Sequence, residues 1–229
     1  MTQWDKFAKT YDEMMGETGN FPHQRLFNPA ILQFLGNFYG KVILDAGCGN
    51  GYWARFLASK AKRVVGIDAS KELLRIAKLK DNYPNLIFKL ADLNKQLPFR
   101  SESFDVIISN MVLHSVQNIK TPAKEFYRLL RKRGRLIFSI AHPKYESKKN
   151  RNLRGVRERK KFYTKTLGGR AIMVEYYQSL GGYKKVFKEV GFKLIGLKEP
   201  LITGEVAKEY PRYKKFVGLP RAAIFCWQK

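Results

Sequence analysis

The sequence predicts an α/β fold built on a doubly wound parallel sheet. Three observations carry that reading. Short apolar runs recur from residue 41 onward, helix-like stretches separate them, and the runs lack polar alternation. They are KVILDA (41–46), RVVGID (63–68), NLIFKL (85–90), FDVIIS (104–109) and RLIFSIA (135–141). Apolar residues at successive positions suit strands buried on both faces, as a parallel sheet covered by helices requires.

The elements follow in order. PAILQFLGNFYG (29–40) reads as an amphipathic helix entering the first strand, so residues 1–40 form an N-terminal helical cap. YWARFLASKA (52–61) places Trp53, Phe56 and Leu57 on one helical face. SKELLRIAKLK (70–80) opens on a serine suited to N-capping and presents Leu73, Leu74 and Ala77 as its apolar face. TPAKEFYRLLRKRG (121–134) has proline in its first turn and Gly134 past its end. After residue 141 the rhythm breaks into a basic insertion, residues 142–165, and then GGRAIMVEYYQSL, which alternates weakly like a strand. Residues 142–182 read as an insertion on the substrate side. YKKVFKEVG (183–191) reads as a helix ending at Gly191, and FKLIGLKEP and AAIFCWQ as the final strands. No repeat or Ser/Gly/Pro linker divides the chain, so residues 1–229 are read as one domain.

The 229 residues carry 44 Lys and Arg against 19 Asp and Glu, a formal charge of +25. The densest node is residues 141–165, with 10 basic and 2 acidic residues, and its centre reads KKNRNLRGVRERKK (148–161). A field of this sign favours anionic partners such as RNA, or it is simply a solvated basic surface. Cys48 and Cys226 form neither a disulfide framework nor a CxxC metal pair, and no metal site is expected. The first residues lack an apolar signal core, and no run of about 18 apolar residues exists to span a membrane. These features predict a cytoplasmic protein.

The chemistry concentrates where the first strand runs into DAGCGNG (45–51). Glycines at 47, 49 and 51 permit positive φ and let a ligand approach bare backbone. Asp45 stands directly before them, where a pyrophosphate would be repelled and a cation welcomed. Asp68 ends the second strand, placed to accept two ribose hydroxyls. Asp92 follows the third strand and can accept from an exocyclic amine. Three carboxylates at the carboxyl ends of adjacent strands suit a nucleoside that carries an ammonium and no phosphate.

The stretches VILDAGCGNGYWARFLA, VVGIDAS, ADLNKQLPFRSESFDVIIS and NMVLH resemble, in order and spacing, the class I S-adenosylmethionine (SAM)-dependent methyltransferases. The resemblance covers residues 41–140. It extends more weakly through GNFPHQRLFNPAILQFLG and YYQSLGGYKKVFKEVGFKLIGLKEP toward the small-molecule, ubiquinone/menaquinone-methyltransferase-like branch. It implies a Rossmann-like sheet of seven strands with the last antiparallel. It implies SAM as cofactor, with Asp45, Gly47, Gly49 and Gly51 at the methionine portion and Asp68 at the ribose. Ala69, Asp92 and Leu93 would meet the adenine, Asn110 would lie beside the sulfonium, and Tyr11 would close over the cofactor.

Methyl transfer from a sulfonium needs an aligned nucleophile, and a base only where that nucleophile carries a proton. His114 in NMVLHSV is the candidate base, near the reactive end in this family. His142, beside Pro143, reads as structural. The loop NMVL lacks the prolines of amino-methylating nucleic-acid enzymes, and neither cysteine is placed as a nucleophile. The resemblance of the N-terminal and C-terminal stretches implies a small-molecule acceptor, anionic where it meets basic residues. An RNA acceptor on the basic surface is the alternative, followed by a non-enzymatic SAM-fold binding protein. KKNRNLRGVRERKK is not expected to touch SAM; it reads as a mobile solvated loop or as a cover over an acidic acceptor.

Overall fold

The computed structural model describes residues 2–154, 156, 159–166 and 171–229. Among them, seven strands share one sheet: β1 (Val42–Ala46), β2 (Arg63–Asp68), β3 (Leu86–Leu90), β4 (Phe104–Asn110), β5 (Leu130–Ala141), β8 (Lys193–Lys198) and β9 (Ala222–Gln228). β6 (Lys160–Thr166) and β7 (Ala171–Tyr177) pair separately. The large sheet runs β3-β2-β1-β4-β5-β9-β8. Its first five strands are parallel, and β9, the last in sequence, is antiparallel to both β5 and β8. Strand order reverses between β1 and β4, the place where doubly wound sheets open a crevice at their carboxyl ends.

The missing polar alternation now has its cause. Ile43, Val64, Ile108, Ile137 and Ile224 face one core, with helices α2 (Asn28–Leu35), α3 (Tyr52–Ala58) and α4 (Lys71–Leu79). Their neighbours Leu44, Val65, Ile107, Leu136 and Phe225 face a second core, with α5 (Lys120–Leu129) and α7 (Leu180–Val190). Burying one such side chain is worth roughly 1.5–3 kcal/mol, so every strand position contributes. Ser70 caps α4, its hydroxyl accepting from Leu73 N at 3.2 Å, and Gly191 ends α7 at φ 112°.

Two expectations need correction. The helix read over 121–134 ends at Leu129, because Leu130 already pairs with Phe104 of β4. The register then slips before Val106 pairs with Arg135, with Arg133 at φ 63°. This is a bulge, and strand pairing overrides the helical propensity of Arg131 and Lys132. The basic stretch 148–161 is also not an irregular loop over its described residues. Lys148 and Lys149 end α6 (Pro143–Lys149), Arg151–Leu153 form a 3-10 turn, and Lys160 opens β6. Leu153 is buried against Ala141 and Tyr177, an anchor the charge pattern concealed. Gly155, Arg157 and Glu158 lie outside the described residues.

Candidate functional site

The turn after β1 is shaped by its glycines in two different ways. Gly47 sits at φ 86°, and a Cβ there would lie 2.4 Å from a methyl of Val112. Gly49 sits at φ 56°, against the ring of Tyr11 from α1 (Ala8–Met15). Both glycines border an open cavity of about 250 Å³. Gly51 faces the other way, packed against Phe88 and Ala77 beneath the turn. It permits close packing of helix on strand and is not on the cavity wall.

Asp68 fastens this turn. One carboxylate oxygen accepts from Gly49 N at 2.9 Å and the other from Ser70 N at 2.9 Å. Burial raises its pKa, with these amides pulling the other way. Asp45 is deeper, 2% exposed, and its Oδ2 has no hydrogen-bond partner among the described residues. Burial, reinforced by the charge of Asp68, pushes it up to about 8. Asp45 lies behind the cavity wall, whereas Asp68 lies on it.

Of the residues expected at the cofactor, Tyr11, Gly47, Gly49, Asp68, Ala69, Asp92, Leu93 and Asn110 line this one cavity. The Asn110 carboxamide is held by Ser139, whose hydroxyl donates to Asn110 Oδ1 at 2.6 Å. Sequence reasoning missed the roof. Thr2, Gln3 and Trp4 also line the cavity, and Gln3 is tied to β7 by Val174 N to Oε1 at 2.9 Å and Nε2 to Val174 O at 3.1 Å. Met173 of β7 packs among Trp4, Phe7, Tyr11 and Met14. Asp5 fixes the same segment to α4. Burial works upward on its pKa, but hydrogen bonds from Ser70 Oγ, Thr2 N and Glu72 N bring it down to about 2. Glutamine and tryptophan near a chain start carry no motif that would reveal these pairings.

His114 is turned elsewhere. It lies in the 3-10 turn Leu113–Ser115; Met111, Val112, Ser115 and Val116 line the cavity and His114 does not. Its Nε2 stands 3.7 Å from Glu175 Oε1 of β7, and its Nδ1 has no partner among the described residues. Burial holds its pKa below the usual histidine range, although Glu175 and Glu146 act upward. His142 caps α6, accepting from Lys144 N at 3.1 Å and meeting Glu199 at 2.7 Å, a structural role.

The wall of the cavity carries Asp68 and Asp92 and, among the described residues, no Lys or Arg. In a chain of charge +25 this inversion selects against phosphate and for a cation. A protein-family model described as "Methyltransferase domain" matches residues 44–138, from β1 to β5, which include Asp68 and Asp92 of that wall. Residues 44–138 thus match a methyltransferase domain. Among curated relatives, a malonyl-[acyl-carrier protein] O-methyltransferase of Hamiltonella defensa is 36% identical over 109 residues, 48% of this chain and 41% of that one. A demethylmenaquinone methyltransferase of Tropheryma whipplei is 34% identical over 143 residues, 62% of this chain and 59% of its own. The chain thus spans about half the length of these two relatives. An uncharacterized protein of Methanocaldococcus jannaschii is 29% identical over 204 residues, 84% of this chain and 75% of that one.

Solved structures agree on the fold. A SAM-dependent methyltransferase of Mesorhizobium loti superposes with a TM-score of 0.76 at 22% identity, covering 93% of this chain and all of that one. The [4+2]-cyclase SpnF also shares the fold, with a TM-score of 0.64 at 16% identity over 88% of this chain and 79% of its own. A methyltransferase fold therefore does not by itself name the reaction.

Proposed function

We propose that this chain transfers a methyl group from SAM to a small-molecule acceptor. The observation that supports it best is the anionic cavity, free of Lys and Arg among its described residues, within a protein of charge +25. SAM fits the donor set: it supplies a methyl group on a cationic sulfur, with a ribose and an adenine but no phosphate. In this reading Asp68 accepts from the ribose hydroxyls, and Ala69 and Leu93 flank the adenine edge that Asp92 recognises. Gly47 and Gly49 let the methionine portion lie on bare backbone, and Asp45 supplies negative charge from beneath. Asn110 and Tyr11 face the reacting end. Metal ligands are not part of the reading; among the described residues, no group of three or more His, Cys, Asp or Glu is placed to hold a metal ion.

The roof supports a small acceptor. Residues 2–4 and β7 are joined over the cavity by paired hydrogen bonds between the Gln3 carboxamide and the Val174 backbone, so a bulky folded substrate meets a lid. Among the described residues, no helix is long and apolar enough to cross a membrane. The quinone-biosynthesis relatives favour a ring-bearing acceptor. The net charge alone favours RNA instead, and eight neutralised phosphates on a single strand would give a salt slope of roughly −6. Incubation with methyl-labelled SAM and cell extract, split into small-molecule, nucleic-acid and protein fractions, separates the readings. Label in the small-molecule fraction is expected; label confined to RNA would replace this proposal with the second one.

A further inference from the structure

Part of the positive charge that the anionic cavity excludes lines a groove at the other end of the sheet. Two cavities of about 710 and 390 Å³ share Val42, Arg63, Ile87, Arg100 and Ser103 as walls, so they form one groove. It opens at the amino ends of β1 to β4, where Val42, Arg63, Asn85 and Ser103 stand, and climbs beside β3 to Lys89. The anionic cavity lies at the carboxyl ends of the same strands. Arg63 opens β2 and Asp68 ends it, so about 17 Å of strand separate the two there.

The charge in the groove is uncompensated. Lys62, Arg63, Lys89, Arg100 and Arg131 line it against one carboxylate, Glu102. Arg131 is already paired with Asp105 at 2.9 Å, and Glu102 already meets Lys229 at 3.5 Å. The other four cations are exposed and form no ion pair among the described residues. Elsewhere surface cations sit beside carboxylates, as Arg25 does with Glu209, Arg75 with Glu72 and Lys185 with Glu189. Four like charges gathered without a counter-charge repel one another, a cost that a bound polyanion removes.

The shape of the groove selects the polyanion. A lipid surface is flat and reaches only the rim, whereas a polynucleotide chain enters. Val42, Ile87 and Phe99 are half-buried along the groove, and Lys89 lies 5.5 Å from the ring centre of Phe99. Cations for the phosphates beside an apolar and aromatic surface for the bases are what single strands require. Asn85 adds a preference among sugars. Its carboxamide donates to the carbonyls of Ala58 and Ala61, each at 2.9 Å, which leaves its oxygen as an acceptor on the groove wall. That oxygen suits a ribose 2′-hydroxyl, which DNA lacks.

We propose that this groove binds single-stranded RNA, with Lys62, Arg63, Lys89 and Arg100 on its phosphates. The RNA is a docking partner at the amino ends of the strands and not the methyl acceptor, so the inference goes beyond methyl transfer and does not depend on it.

The test is fluorescence anisotropy of a labelled uridine oligomer of about 12 nucleotides over a salt series. Four phosphate contacts predict a slope of about −3 in log affinity against log salt. Arg63→Gln combined with Arg100→Gln should flatten that slope by about 1.4 and weaken binding about tenfold at about 0.15 M salt. Lys208→Gln combined with Lys214→Gln removes equal charge at exposed residues beyond β8, the edge of the sheet opposite β3, and should change affinity less than about twofold. All four residues are exposed, so both variants should unfold at the wild-type temperature. A deoxyuridine oligomer and an RNA duplex should each bind the wild type severalfold more weakly than the RNA single strand. Absence of wild-type binding, wild-type affinity in the Arg63/Arg100 variant, an equal loss in the Lys208/Lys214 variant, or binding of DNA or duplex as tight as that of the single strand would overturn the proposal. Wild-type protein that sediments with phosphatidylglycerol vesicles and leaves the oligomer free would overturn it in favour of lipid.

Discussion

Arg159 Nη2 donates to the backbone carbonyl of Leu113 at 2.7 Å, and this bond ties the basic insertion to the turn that follows β4. The same guanidinium bonds the carbonyls of Val116 and, at 3.0 Å, Gln117, and lies near the rings of Tyr176 and Tyr183. Three carbonyls in one turn are thus held by one side chain. Val112, Ser115 and Val116 of that turn line the cavity that Gly47 and Asp68 border.

The first prediction follows directly. Arg159→Ala should weaken SAM binding roughly tenfold without removing any contact to the cofactor, because the cavity wall loses its anchor. Arg159→Lys should recover little, since one ammonium cannot span three carbonyls. Calorimetry on both variants checks this; wild-type affinity in Arg159→Ala would mean the turn is held by its own packing.

Asp45 gives a pH signature. Its carboxyl keeps its proton to about 8 in the folded chain, against about 4 when unfolded. The folded state therefore binds the extra proton, so this group's contribution to stability falls as pH rises from about 4 to about 8 and is level above. A cationic ligand favours the ionised form, so SAM binding at pH 7 should release a proton. Titrations in buffers of different ionisation enthalpy measure that release, which Asp45→Asn should abolish.

Gly47 is the least replaceable residue of the turn. Gly47→Ala places a methyl group 2.4 Å from Val112 at a φ of 86° that alanine resists. A loss of about 2 kcal/mol or more in stability is expected, together with loss of SAM binding. Urea unfolding and calorimetry report the two separately.

The fold and the grouping of residues around one cavity were readable because their signals are local. The glycine turn, the carboxylates at strand ends and the unbroken apolar runs each lie within a few residues of chain. Asp45 and Gly51 were placed correctly in the turn, yet they sit beneath the cavity wall, a distinction that depends on which way each position points. The roof and the surroundings of His114 were not readable, because Gln3 meets Val174 across 171 residues and His114 meets Glu175 across a different element. Arg159 shows the limit most clearly. Within KKNRNLRGVRERKK it looks like one solvated charge among eight, and only tertiary contact reveals it as the residue that bonds three backbone carbonyls.

The central claim is that a strongly basic protein has built an anionic pocket for a cationic nucleoside. Titrating SAM, ATP and NAD⁺ into the same preparation at about 0.15 M salt tests it most directly, since surface attraction for phosphate is partly screened there. SAM should bind with a micromolar dissociation constant that Asp68→Ala weakens severalfold or more, while ATP and NAD⁺ bind at least a hundredfold more weakly. Tighter binding of either phosphate-bearing nucleotide, or no binding of SAM at millimolar concentration, would contradict it.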